Sequence, residues 1–117
     1  MNKFIVNGIV TKNVELRMTE TGKEMVRFSV RVASQRKDDQ GRRISDFFDF
    51  TAWGKTAVFI KEYFKDGSPI SIDASVQNHK YEKQGVTVYT YNFIVNQVFF
   101  VPKEKASDTS FFESDKL

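Results

Sequence analysis

The chain has 117 residues, 40% hydrophobic and 28% charged, a length and composition that suit one globular domain. It contains no cysteine and a single histidine, His79, which excludes disulfides and thiolate metal sites and leaves little for a zinc site or a Ser-His-Asp triad. Lys and Arg number 18 against 15 Asp and Glu, no apolar run nears the roughly 20 residues of a membrane span, and the N-terminal MNKFIVNGIV lacks the long apolar stretch and cleavage site of a signal peptide.

A first strand is expected at Phe4–Val10, a run dense in Val, Ile and Phe. Thr21-Gly22 marks the turn out of it. Residues 25–32 then alternate Val26, Phe28, Val30 and Val32 against Arg27, Ser29 and Arg31, the pattern of a half-buried strand. The polar Lys37-Asp38-Asp39-Gln40-Gly41 reads as a long hairpin tip. Residues 46–53 alternate Phe48, Phe50 and Ala52 against Phe47, Asp49, Thr51 and Trp53. From 55 to 65 the alternation gives way to one short helix, with Lys61 and Lys65 near its negative end and Asp66-Gly67 as a left-handed C-cap. Residues 70–76 put Ile70, Ile72, Ala74 and Val76 on one face, and Glu82-Lys83-Gln84-Gly85 turns the chain into a last strand over 86–101. Five strands with a helix between the third and fourth predict an all-β OB-fold, a five-stranded antiparallel Greek-key barrel. It is expected to span 1–102, followed by a short mobile polar tail over 103–117 that carries Phe111-Phe112.

Charge is unevenly placed. Residues 1–102 carry a net charge of +4, and residues 23–43 alone account for it, with Lys23, Arg27, Arg31, Arg36, Lys37, Arg42 and Arg43 against Glu24, Asp38 and Asp39. A solvated hairpin would look like this, and so would a path for a phosphate backbone.

Aromatic residues are in surplus: 12 Phe, 4 Tyr and 1 Trp, or 15%. Successive strand residues face opposite sides, so parity sorts them. Asp49 and Thr51 mark the outward parity of the third strand, which places Phe47 and Trp53 outside, beside Arg27 and Arg31 of the second. Tyr81, between Lys80 and Lys83, adds a ring near the last hairpin. Exposed rings interleaved with cations suit single-stranded nucleic acid, whose unpaired bases stack while cations follow the phosphates. The same rings also suit an oligomer contact or, for Trp53, a cap on the core. His79 reads as an ordinary polar strand residue beside that surface. Asp46 and Asp49, at odd spacing, fall on opposite faces and make no catalytic or metal pair, and no phosphate loop or activated nucleophile is present. No enzyme activity, metal or cofactor is expected.

These residues resemble the bacterial and phage single-stranded DNA-binding proteins of the homotetrameric OB-fold type. The likeness is carried by Asn2-Lys3-Phe4-Ile5-Val6-Asn7-Gly8, Glu15-Leu16-Arg17, Asp46-Phe47, Trp53-Gly54-Lys55-Thr56-Ala57, Lys65-Asp66-Gly67-Ser68 and Lys80-Tyr81. The resemblance implies base stacking on Phe47, Trp53 and Tyr81, with phosphate contacts expected from Arg27, Arg31, Arg36, Lys37, Arg42, Arg43, Lys80 and Lys83. It further implies a homotetramer, to which the aliphatic edge of the first strand would contribute, acting in replication, recombination or repair in the bacterial cytoplasm, with no membrane partner. Three departures stand out. Arg36 occupies a position usually aromatic in that family, Val14 replaces a common loop proline, and the long linker with its acidic tip is replaced by Phe111-Phe112-Glu113-Ser114-Asp115-Lys116-Leu117. The last departure fits a short-tailed phage or mobile-element member, with recruitment of replication or recombination proteins correspondingly reduced. An OB-fold primosomal adaptor and a single-stranded RNA-binding module are the alternatives.

Overall fold

The computed structural model describes residues 1–102; the tail expected over 103–117 lies outside the described residues. Six strands and one helix follow in the order β1 (Phe4–Val10), β2 (Glu15–Met18), β3 (Glu24–Lys37), β4 (Arg43–Trp53), α1 (Gly54–Tyr63), β5 (Pro69–Lys83) and β6 (Val86–Phe100). Five of them close a ring. β1 pairs with β5, β5 with β6, β6 with β4, β4 with β3, and β3 returns to β1 through Ile9↔Arg31 and Val10↔Val30. This is the OB-fold barrel. One pairing departs from the antiparallel expectation: β4 and β6 run parallel, through Phe50↔Phe93 and Thr51↔Ile94.

The barrel is filled by the parity that the alternation marks. Val26, Phe28 and Val30 of β3 meet Phe50 and Ala52 of β4, with Ile70, Ile72 and Ala74 of β5, and all are buried. Phe4 stacks on Phe93 at 4.6 Å and meets the edge of Phe48 at 5.0 Å, closing the upper core. Ala57, Ile60 and the following Phe64 cap the barrel from the helix side. Val14, in the β1–β2 connection, is also buried there, so this loop position is part of the core. Gly8 is required by the closure: a Cβ there would lie 2.5 Å from the Arg31 carbonyl oxygen and from Val30 Cγ1.

Three sequence expectations change. A sixth strand, β2, pairs Glu15–Met18 with Arg27–Glu24, so Thr21-Gly22 turns β2 into β3 rather than β1 into β3. All four β2 residues are exposed; the strand is a ribbon added outside the barrel, and no buried face announces it. β3 and β5 run on to Lys37 and Lys83, well past the apolar alternation, because each pairs with its hairpin partner beyond the end of the core. The helix ends at Tyr63, with Phe64 extended at its C-cap. Gly67, at φ +90°, serves the following turn instead, where its N–H donates to the Val10 carbonyl at 2.7 Å. Because β4 and β6 are parallel, the hairpin tips that precede them lie at one end of the barrel and α1 lies at the other.

Candidate functional site

β3 and β4 set out the site by cross-strand pairing. Met25 lies opposite Trp53, Arg27 opposite Thr51, Ser29 opposite Asp49 and Arg31 opposite Phe47, so these eight residues share the outer face. Phe47 is 63% exposed and Trp53 37%, which sets aside the core cap that parity left open for Trp53. The two rings are six steps apart on the strand, about 20 Å. Lys23 holds its ammonium 5.2 Å from the centre of the Trp53 ring, a cation–π contact. Two acids lie on this face: Asp49, which accepts a hydrogen bond from the Ser29 hydroxyl, and Glu15 of β2, which is opposite Arg27 and pairs with Arg17.

The parallel β4–β6 pairing brings the outer face of the last hairpin alongside. Met25, Arg27, Thr51 and Trp53 on one side and Gln77, His79, Tyr81, Thr90, Asn92 and Ile94 on the other line a groove of about 490 Å³. Tyr81 is 44% exposed, and its ring centre lies 5.8 Å from that of His79. Trp53, Tyr81 and Arg27 are thus brought together in one groove, with Phe47 and Arg31 farther along the same face. Lys83 shares the parity of Tyr81. Lys80 does not: it pairs with Tyr89 on the reverse face of the hairpin.

The remaining cations divide by partner. Arg36 bonds to Asp46 and to the Ser34 hydroxyl, and Arg42 bonds to Asp38 at 3.2 Å, where Asp38 also accepts the N–H groups of Gln40 and Arg42 and fixes the hairpin tip. Both charges are therefore partly neutralised in place. Arg27, Arg31, Lys37 and Arg43 make no ion pair among the described residues. Lys37 and Arg43 are directly opposite one another, a like-charge pair that costs folding free energy unless an anion joins it.

Sequence parity located the rings and missed part of the groove. Lys23 and Met25 were legible only through the register that sets Met25 against Trp53, and Thr90, Asn92 and Ile94 only through the parallel pairing. Among the described residues no group of three His, Asp or Glu side chains is placed to hold a metal ion, and no helix is long and apolar enough to cross a membrane.

The family model described as the single-strand binding protein family matches residues 1–101. The chain belongs to that family. It is 36% identical over 112 residues to a single-stranded DNA-binding protein of Fusobacterium nucleatum, covering 94% of this chain and 73% of that one. It is 39% identical over 88 residues to single-stranded DNA-binding protein 2 of Streptococcus agalactiae, covering 75% and 67%. Among solved structures, a deletion mutant of the single-stranded DNA binding protein from Thermus aquaticus superposes with a TM-score of 0.74 over 87% of this chain at 15% identity. That likeness extends the fold assignment alone, and this chain spans about half of the Thermus chain, 51%.

Proposed function

We propose that the chain binds single-stranded DNA with little sequence preference, by stacking bases on Phe47, Trp53 and Tyr81 while Arg27, Arg31, Lys37 and Arg43 follow the phosphates. Arg36, Arg42 and Lys83 add charge at the margins of this path, and Lys80 lies across the hairpin from it. The observation that carries the reading is the placement of three exposed rings along one continuous outer face with Arg27 and Arg31, which make no ion pair among the described residues. Duplex DNA hides the faces of its bases, so such rings are useful only to unpaired strands. The names of the curated relatives favour DNA over RNA and over a protein adaptor. Coating and protecting template strands during replication, recombination or repair in the cytoplasm is the corresponding cellular role.

The same reading includes a homotetramer. β1 is paired along Phe4–Ile9 on its β5 side, but on its other side only Ile9 and Val10 have a partner among the described residues. That leaves an edge open to a second copy. On the outer face of the β1–β5–β6 sheet, Ile5 is 67% exposed and Phe99 51%, apolar side chains suited to a contact between dimers.

Trp53 is the only tryptophan, so its emission reports one site. Titration with oligo-dT is expected to quench it saturably, with duplex of equal phosphate doing little and single-stranded RNA of equal length binding more weakly. Arg31→Glu should flatten the dependence of log K on log salt. Absence of quenching by oligo-dT overturns the proposal, and a stable monomer in light scattering at micromolar concentration overturns the assembly.

A further inference from the structure

We propose that the face of the β5–β6 hairpin turned away from the groove is a second base-stacking surface for the same single strand, built on Tyr89 and Tyr91. The inference rests on the single-strand-binding reading above and extends it to residues that reading leaves unused. β5 loses its β1 partner after Ala74, and β6 gains its β4 partner only at Phe93. Between these points the two strands form an arm with two solvent faces, clamped at its base where the Asn2 side chain donates to the Val76 carbonyl and accepts from the Val76 N–H. One face carries Gln77, His79 and Tyr81 and belongs to the groove. The other sets Asn78 opposite Tyr91 and Lys80 opposite Tyr89.

Folding has little use for these two rings. Phe93, on the same face one step nearer the barrel, packs against Phe4, Phe48 and Phe50. At Tyr91 the core has ended. Tyr89 is 74% exposed and Tyr91 66%, more than any other tyrosine of the chain. The strand propensity of this stretch is served equally well by β-branched residues, which occupy Thr87, Val88 and Thr90. What a tyrosine adds in water is a π-face for a base and a hydroxyl that hydrogen-bonds to phosphate. The two rings stand about 7 Å apart on one face, as residues two apart on a strand do.

The surface is also within reach of the groove. A strand lying on Tyr81 has only to cross the edge of an arm two strands wide, about 5 Å between strands, to meet Tyr89. Lys83 at the tip and Lys80 opposite Tyr89 lie along that crossing. Glu82, opposite Thr87, balances Lys80 on the reverse face. The contribution of this face is therefore stacking, with little dependence on salt.

The test uses the full chain, a short oligo-dT that just saturates the Trp53 signal, and an oligo-dT about twice as long. The double variant Tyr89→Ser/Tyr91→Ser should bind the short strand as the unmodified protein does. It should bind the long one at least about fivefold more weakly, by the same factor at low and high salt. Tyr89→Phe/Tyr91→Phe, which keeps both rings, should restore most of the loss and guards against a merely misfolded arm. Equal binding of the long strand by the Ser variant overturns the proposal, and so does an equal loss for both lengths. A change in mass by light scattering that accompanies the loss also overturns it, because the face would then be a contact between copies. If the unmodified protein shows no Trp53 quenching with either strand, the single-strand-binding reading itself fails. Quenching that persists without a length-dependent effect of the Ser variant removes only the second surface.

Discussion

The two faces of β4 use the same kind of side chain for opposite ends. Phe50 is fully buried and stacks in the barrel with Phe4 and Phe28, while Phe47, three residues away on the same strand, is 63% exposed. Neither hydrophobicity nor strand propensity separates them; parity does. An aromatic on the inner face is fixed by its neighbours' volume. Phe47 on the outer face, beside Arg31 and Asp49, joins no aromatic cluster among the described residues, and its exposed ring is available to a ligand.

The largest expected effect tests the inner face. Phe50→Ala should cost about 3–5 kcal/mol of folding stability, as buried large-to-small changes do, measured by chemical denaturation. A loss below about 1 kcal/mol would erase the distinction between the faces. Gly8→Ala comes next: its new methyl meets the Arg31 carbonyl and Val30, and such overpacking costs about 1–3 kcal/mol. Its unfolding midpoint should fall in proportion, because β1 must move away from β3. On the outer face the sign of the experiment reverses. Phe47→Ala and Trp53→Ala should each leave the melting temperature nearly unchanged and cost about 1–3 kcal/mol of oligo-dT binding per stacked base lost. A variant that melts early yet binds normally while folded would mean that the ring serves the fold rather than the bound strand.

The smallest effect sharpens the same comparison with a polar outward residue. Hydrogen bonds from the Asn96 amide and the Lys3 ammonium hold the Asp73 carboxyl below its usual range. A carboxyl with a depressed folded value adds stability above the ordinary aspartate range, near pH 4. That stability fades as the pH falls through the folded value. Asp73→Asn should therefore slightly narrow the difference in melting temperature between neutral and acid solution. A wider difference would contradict the assignment.

Much of this was legible in the sequence because the barrel writes itself in alternation. Val26 to Val32, Phe48 to Ala52 and Ile70 to Val76 announce the inner face, and the outward rings follow by elimination. The missed parts share a cause. β2 buries no side chain, so Leu16 and Met18 carry no signal of pairing. The outer halves of the two long hairpins have no third layer, so a strand there needs no contrast between its faces, and Tyr89 and Tyr91 could not be told from core residues. The separation of Lys80 from Tyr81 was implicit in parity, since adjacent strand residues face opposite sides. The local partners of Arg36 and Arg42 depended on hairpin geometry that composition does not contain.

The return of β1 to β5 has a consequence for how the chain is made. Phe4 pairs with Ala74, so the first strand has no partner on that side until some 70 residues later have been synthesised. At about 5–20 residues per second, that interval lasts roughly 4–14 seconds. Over that time Phe4, Val6 and their backbone are open to any passing strand, and ring closure must wait for the slow, non-local step that topology imposes. The β3–β4 hairpin, whose contacts are local, is free to form first and to offer β1 the short Ile9–Val10 foothold from which the rest of the barrel is completed.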